Sequence, residues 1–219
     1  MTGALEVIGE MRKHGVKPDV WTFGGLMGSY ADAGELALAT GLLDDMASAG
    51  VRPNRVVYGI LVDAAFEHWL RMGRMPVHLR DVQRYFKLTR CDTSSARGVA
   101  QGGKKLLKID LHQLSKWTAV VYVVEMLRLL QVTLAERPLA LDQRDVEIVT
   151  GRGNHSTHLR QPVFRNLVLV LLQQMGIPVA FVEGNDGCLL VRGRQLADVL
   201  KAMARDGVVV NLEFASQFI

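Results

Sequence analysis

Apolar residues recur at helical spacing through the first third of the chain. They return every three or four positions from Thr22 to about Ala33 and from Leu36 to Ala49, which predicts two amphipathic helices separated by Gly34. Gly15 and Gly50 stand where such helices end, and a proline follows three residues after each. Glycine allows the left-handed backbone that closes a helix, and proline prevents the helix from resuming. The pattern therefore predicts a series of helical hairpins.

These hairpins form an internal repeat. The segment Met11–Asp19 aligns with Met46–Asn54, 35 positions later, and both segments contain glycine, valine, a basic residue and proline in the same order. The same offset pairs Phe23 with Tyr58. A single hairpin cannot bury both of its faces, so such units stack into a superhelix.

Beyond a predicted linker at residues 90–105, which is rich in glycine and serine, short strand-like runs alternate with helical patterns. The predicted order is a strand at 106–114, a helix from Ser115 to about Ala135, a strand at 145–151, a helix from about Gln161 to Met175, two strands joined at Asn185–Gly187, a helix from Arg194 to Arg205 and a closing strand at 208–214. This βαβαββ-like order predicts an α/β sandwich at residues 106–219, following the helical repeats of residues 1–89.

Composition is that of a folded chain with a mild basic bias. Apolar residues make up 49% of the 219 residues, and the net charge is +4. Six basic residues and one acid lie between Arg71 and Arg90; in a helix there, Arg80, Arg84 and Lys87 would share one face, either solvated or in contact with phosphates. The spacing of Cys91 and Cys188 favours free thiols over a disulfide or zinc site.

Charged residues interrupt the longest apolar stretches, so no membrane segment is expected. The first residues also lack the pattern of a secretory or organellar targeting peptide. Two alternatives follow: the protein acts where it is made, or its true N-terminus precedes this sequence.

Two motifs close the first two predicted strands. In an extended strand Asp110 and His112 project to the same face, either as a catalytic pair or as a structural hydrogen bond. The second strand runs into a loop that begins Thr150-Gly151-Arg152-Gly153. Glycines before a helix let backbone amides approach an anion, although a tight connection needs glycines too. His155 and His158 lie in this loop without a nearby carboxylate, which disfavours a metal site there.

The N-terminal period, its junctions and the aromatic residue inside the first helix resemble pentatricopeptide repeats (PPR) over about residues 3–89. Tetratricopeptide repeats, which bind proteins, have a period of 34 residues and a different pattern. The resemblance implies binding of single-stranded RNA at about one base per repeat. It places the base-selecting positions at Gly24 and Asn54, and at Gly59 in the next repeat. Glycine offers no side chain to a base, so spacing, backbone contact or protein contact are alternative roles.

The two C-terminal motifs together resemble the small MutS-related (SMR) domain over about residues 106–193. The resemblance implies binding of RNA, with DNA as an alternative, and endonuclease activity in some members. Asp110 and His112 would then move protons, with or without a divalent metal (Mg or Mn) on Asp110. The residues implied in phosphate or nucleic-acid binding are Thr150, Gly151, Arg152, Gly153, His155 and Arg160.

A repeat array followed by this domain is the arrangement of PPR–SMR proteins. It implies RNA processing in the chloroplast, or alternatively in the mitochondrion. A non-catalytic nucleic-acid binder and a protein adaptor that uses the helical repeats are the alternative functions, and the pattern does not predict an oligomeric state.

Overall fold

The computed structural model describes residues 3–73, 105–111, 114–138, 141, 144–151, 163–215 and 217. The chain divides into two compact units, residues 1–91 and 92–219. The predicted linker at 90–105 lies outside the described residues, apart from the first residue of a strand at Lys105.

The N-terminal unit is helical, as the repeat pattern predicts. Its described helices are α1 (Gly3–Lys13), α2 (Val20–Asp32), α3 (Leu36–Ser48) and α4 (Arg55–Met72). Helix α2 packs against both α3 and α4. The largest fully buried side chains of the unit, which come from these three helices, are Phe23, Met27, Leu42, Met46, Leu61 and Phe66.

Glycines close the helices where the sequence predicts it. Gly15 and Gly50 have φ angles of 71° and 69°. After Gly50, the Val51 amide donates to the Met46 carbonyl at 2.8 Å, and after Gly15 the Val16 amide donates to Met11 in the same way. These bonds satisfy carbonyls that the helix end leaves without partners. The predicted ends of both repeats are therefore confirmed.

The C-terminal unit contains a mixed four-stranded sheet. Its elements are β1 (Lys105–Asp110), α5 (Lys116–Glu136), β2 (Arg144–Val149), α6 (Val163–Gln174), β3 (Ala180–Val182), β4 (Asn185–Val191), α7 (Gly193–Arg205) and α8 (Leu212–Ala215). The strand order is β1-β2-β4-β3; β1 and β2 are parallel, and the other two pairs are antiparallel. The predicted βαβαββ order is confirmed as far as β4.

One face of this sheet forms the core of the unit. Ile109, Ile148 and Leu189 are buried there, while Lys108 and Glu147, from the other face, are exposed or half-buried. Helix α7 packs on β2, α6 packs on β4, and α5 packs against α6, α7 and α8. The alternation of buried and open positions along β1 and β2 is typical of a sheet with one covered face.

Among the described helices, α5 alone has the length and the apolar composition that a membrane-spanning helix needs. In the fold its Trp117, Val120, Val124 and Leu127 are buried, and Glu125 and Arg128 form an ion pair at 2.9 Å. A core helix passes the same test of length and hydropathy. In this unit, α5 is the central helix, in contact with α6, α7 and α8.

The hairpin turn differs from the sequence prediction. Val182 pairs with Asn185, so the turn is Glu183-Gly184 and not Asn185–Gly187, which belongs to β4. A two-residue turn needs a left-handed residue, and Gly184 supplies it with a φ of 72°. The Asn185 side chain is used inside the strand, where its Nδ2 donates to Cys188 Sγ at 3.1 Å.

The predicted closing strand at 208–214 is also wrong. Its second half forms helix α8. The Asn211 side chain caps the start of this helix, because its Oδ1 accepts from the Phe214 amide at 2.8 Å. The first half of the predicted strand bonds to the Gln131 side chain of α5 instead of a neighbouring strand: Nε2 donates to the Val208 carbonyl at 2.9 Å, and Oε1 accepts from the Val210 amide at 3.0 Å.

Gln131→Leu is expected to lower the free energy of unfolding by about 1–3 kcal/mol, because it leaves the Val208 carbonyl and the buried Val210 amide without these partners. Urea unfolding monitored by circular dichroism measures the change. Gln173→Leu, an exposed glutamine on α6, is the matched control and is expected to stay close to wild type. Equal stability of the two variants would contradict a structural role for Gln131.

Candidate nucleic-acid interface

The two predicted C-terminal motifs meet at neighbouring strand ends. Asp110 is in register with Val149 across the parallel pair β1 and β2, and the next amide, of Leu111, donates to the Val149 carbonyl at 2.8 Å. Asp110 is exposed, whereas Ile109 and Leu111 on either side are buried. The carboxylate therefore stands at the open end of β1, beside the point where the Thr150 loop begins.

The start of that loop is fixed by its own chain. The amides of Thr150 and Gly151 both donate to the Gly187 carbonyl, at 2.8 and 3.2 Å, and the Thr150 hydroxyl donates to it at 3.2 Å. Gly151 has a φ of 79°, which favours glycine. These two amides are already paired, so amide donors for a phosphate would have to come from residues after Gly151.

Several predicted site residues lie outside the described residues. From the C-terminal motifs and the basic segment these are His112, Arg152, Gly153, His155, Arg160, Arg80, Arg84 and Lys87. Their proposed roles remain predictions. Among the described residues, there is no group of three or more histidine, cysteine, aspartate or glutamate side chains that could hold a metal ion.

A small polar cluster occupies the open sheet face beside Asp110. Lys108 Nζ lies 3.6 Å from Glu147 Oε1, and the same oxygen accepts from Cys188 Sγ at 3.5 Å. Burial, together with the hydrogen bond to Glu147 and its negative charge, raises the pKa of the Cys188 thiol. Cys188 is buried, which fits a structural role in the sheet.

In the N-terminal unit, the predicted base-selecting residue Asn54 caps a helix. Its Oδ1 accepts from the Val56 and Val57 amides at 3.0 and 3.1 Å, at the start of α4. Asp19, 35 positions earlier, caps α2 in the same way, accepting from the Thr22 amide at 2.8 Å. That bond, with a second one from the Thr22 hydroxyl, lowers the pKa of Asp19. Both repeats therefore begin with the same N-cap.

The two predicted glycine positions are buried within helices, and one of them faces a neighbouring helix. Gly24 and Gly59 are buried on α2 and α4. A Cβ added at Gly24 would lie 3.9 Å from Val57 Cγ2, which is ordinary van der Waals contact. Gly24 therefore marks where α2 approaches α4, and its burial fits a packing role better than contact with a base edge.

The first turns of α2 and α4 instead expose large apolar side chains. Trp21 is 69% exposed and Val56 is 48% exposed, and the two stand 35 positions apart in equivalent places of successive repeats. The basic residues Lys17 and Arg52, four positions before each of them, are exposed as well. Each repeat thus presents an apolar side chain and a cation near the N-terminus of its first helix.

Comparison with known families finds one match within the N-terminal unit. The model of the pentatricopeptide repeat domain matches residues 6–66. Residues 6–66 form a PPR domain. No curated protein matches the chain. PPR repeats imply an RNA-binding role, and the PPR domain contains α2, α3 and most of α4 with the paired N-caps.

The exposed residues of the PPR domain were missed by sequence reasoning, which followed the glycine and asparagine positions instead. The signal was present, because the offset that pairs Phe23 with Tyr58 also pairs Trp21 with Val56 and Lys17 with Arg52. What the sequence does not give is the burial state of Trp21, since a tryptophan in an apolar stretch is ordinarily assigned to the core.

Proposed function

We propose that this protein binds single-stranded RNA through the first-turn surface of its PPR domain. Trp21 and Val56 would contact bases, and Lys17 and Arg52 would contact phosphates. The observation that carries the proposal is the exposure of Trp21 at a position repeated by Val56. Aromatic side chains stack on unpaired bases, and basic side chains follow the backbone, in proteins that bind single strands.

Trp21→Ala is expected to weaken RNA binding by about 5- to 150-fold, because stacking on one base contributes about 1–3 kcal/mol. Fluorescence anisotropy with a short labelled single-stranded RNA of randomised sequence measures the affinity of the full chain. Trp21→Phe keeps a stacking ring and is expected to bind more tightly than Trp21→Ala. Leu38→Ala is the matched control, because Leu38 is an exposed apolar residue on α3, away from the first turns of α2 and α4.

The salt dependence of binding tests the phosphate contacts. For single strands, each neutralised phosphate adds about 0.7 to the slope of log affinity against log salt concentration. Replacing Lys17 and Arg52 together by glutamine should reduce the slope by about 1.4, if each meets one phosphate. No RNA binding, or affinity that does not change with salt, would contradict the proposal and favour the protein adaptor.

A second candidate function is endonuclease activity in the C-terminal unit, of the kind that the SMR resemblance implies. It is favoured by the exposed Asp110 at a strand end, beside the start of the Thr150 loop. Cleavage requires that a hydroxyl lose its proton and attack phosphorus, forming one P–O bond while another breaks, and that the leaving oxygen gain a proton. Asp110 and His112 would share these two proton transfers, and Arg152 and Arg160 would neutralise phosphate charge.

The PPR–SMR resemblance also supports a role in organellar gene expression, and we propose the chloroplast before the mitochondrion. The test is the localisation of a fluorescent fusion made from the complete open reading frame. Fluorescence that remains in the cytosol would contradict this assignment. RNA binding by the PPR domain does not depend on its result.

A further inference from the structure

The edge of the C-terminal sheet carries an exposed aromatic residue with an arginine against its ring. Phe181, in the edge strand β3, is 56% exposed. The guanidinium carbon of Arg165, in the first turn of α6, lies 4.7 Å from the centre of the phenyl ring. This distance is within the range of a cation–π contact, which orders both groups.

The exposure of Phe181 is unusual for its row of the sheet. Phe181 pairs with Leu189 of β4, which in turn pairs with Ile148 of β2. Leu189 and Ile148 are both buried. In this row of paired residues across the sheet, Phe181 in the edge strand is therefore the one that is exposed. A large ring left in water at a sheet edge loses the free energy that its burial would supply. An exposed aromatic ring is also the kind of group on which unpaired bases stack.

This pair lies at the same end of the sheet as Asp110. The row that ends in Phe181 begins with Ile109, the residue before Asp110 in β1. Three strand spacings separate β1 from β3, which places the Phe181 backbone about 14 Å from that of Ile109. Arg165, in the first turn of α6, stands five positions after Arg160 in the sequence.

We propose that Phe181 and Arg165 form a stacking site for one unpaired base of an RNA strand bound along this end of the sheet. The base would lie against the open part of the ring, and the guanidinium would contact the base plane or the adjoining phosphate. Every base has a π face, so the site is expected to accept any base. The inference rests on the proposed RNA binding and extends it to a second surface.

Photochemical cross-linking of the full chain localises this contact independently of the PPR domain. The probe is a single-stranded RNA containing 5-iodouridine, with the adduct mapped by mass spectrometry. We expect an adduct on Phe181 itself in wild type, its loss in Phe181→Leu, and its return on the introduced residue in Phe181→Trp. Phe181→Leu keeps an apolar side chain at the site, which limits the effect on folding.

Affinity measurements separate the ring from the cation. Phe181→Leu is expected to weaken RNA binding on the order of tenfold without changing the salt slope, because stacking releases no counterions. Arg165→Gln is expected to reduce the slope by about 0.7 if the guanidinium meets a phosphate. Val132→Ala, an exposed apolar residue on α5, is the matched control and should leave both quantities unchanged.

The outcomes distinguish the two proposals. If wild type binds RNA but gives no adduct at Phe181, and Phe181→Leu binds as tightly as wild type, the stacking site is overturned while RNA binding by the PPR domain stands. If wild type does not bind RNA at all, the proposed function fails and the stacking site fails with it. An adduct on Phe181 that survives in Trp21→Ala supports a second surface.

Discussion

Gly193→Ala is expected to lower the free energy of unfolding of the C-terminal unit by about 3 kcal/mol, the upper part of the range for overpacking. Gly193 is the first residue of α7, and a Cβ at this position would overlap the carbonyl oxygens of Arg144 and Leu141. These are backbone atoms, which cannot rotate away as a side chain can. The backbone would have to shift, either at the start of β2 or at the start of α7.

The same junction holds polar contacts that a shift would disturb. Asp145 of β2 accepts from the Gly193 amide at 3.0 Å and pairs with Arg192 at 2.6 Å. A carboxylate at a helix N-terminus also interacts favourably with the helix dipole. Movement of α7 away from β2 would weaken these contacts together with the apolar packing beneath them.

Thermal and urea unfolding measure the effect, and a fall in Tm of roughly 10 °C is expected. Gln195→Ala, two positions later on the exposed side of α7, should stay within about 0.5 kcal/mol of wild type. Gly41→Ala is a glycine control of opposite sign. It lies inside α3 with nothing near its Cβ, so the better helix propensity of alanine should stabilise the protein by about 0.5–1 kcal/mol. A Gly193→Ala variant as stable as wild type would show that the junction can relax.

The sequence gives no sign of this requirement. Gly193 follows an arginine at the end of an apolar run, and the residue that it approaches, Arg144, lies 49 positions earlier. In the PPR domain, by contrast, the sequence does signal the structure. Equivalent helix ends and equivalent N-cap residues occur twice, 35 positions apart. Local signals that recur at a fixed period predict structure well, whereas a close approach between distant segments has no local signal.

Both errors in the C-terminal unit arise from local patterns that tertiary contacts overrule. Asn185-Asp186-Gly187 has the composition of a turn, but Gly184 already provides the left-handed residue. The valine run at 208–210 has strand composition, but Gln131 of α5 occupies the hydrogen bonds that a neighbouring strand would need. The competing partner lies 77 residues away in the first of these bonds, so sequence pattern alone could not reveal it.

The sequence could predict that the two C-terminal motifs are neighbours, but not the hydrogen bonds around them. Parallel pairing of β1 and β2 brings Asp110 next to Val149, as the element order implies. The pairing of the Thr150 and Gly151 amides with the Gly187 carbonyl depends on β4 and was not predictable from either motif. The exposed Phe181 was hidden for a different reason, since an aromatic residue in a β-branched run is ordinarily assigned to the core.

Asp110→Asn and His112→Ala are each expected to lower the rate of RNA cleavage by about 10²–10⁴-fold if the C-terminal unit is an endonuclease, because general acid–base groups contribute about this much. The amide introduced by Asp110→Asn is similar in size to the carboxylate but cannot accept a proton. Urea unfolding of Asp110→Asn, measured in parallel, shows whether the variant remains folded under the conditions of the assay.

The assay uses the full chain and end-labelled structured RNA, with Mg²⁺, Mn²⁺ or EDTA in separate reactions. Affinity is measured in parallel, and Asp110→Asn is expected to bind RNA at least as tightly as wild type, because it removes a negative charge near the phosphates. Asp198→Asn is the matched control, since this exposed carboxylate lies on α7 away from the strand ends, and its cleavage rate should equal that of wild type.

The comparison of cleavage with affinity separates catalysis from binding at the same residues. Loss of cleavage with retained affinity in both variants would assign Asp110 and His112 to the chemical step, since a group that only binds RNA changes the affinity as well. Reduced affinity with an unchanged rate at saturating RNA would instead assign them to binding. If wild type does not cleave RNA with Mg²⁺, with Mn²⁺ or with EDTA, the endonuclease hypothesis is contradicted. The hydrogen bonds of the Thr150 and Gly151 amides are then explained as a structural connection between β2 and β4.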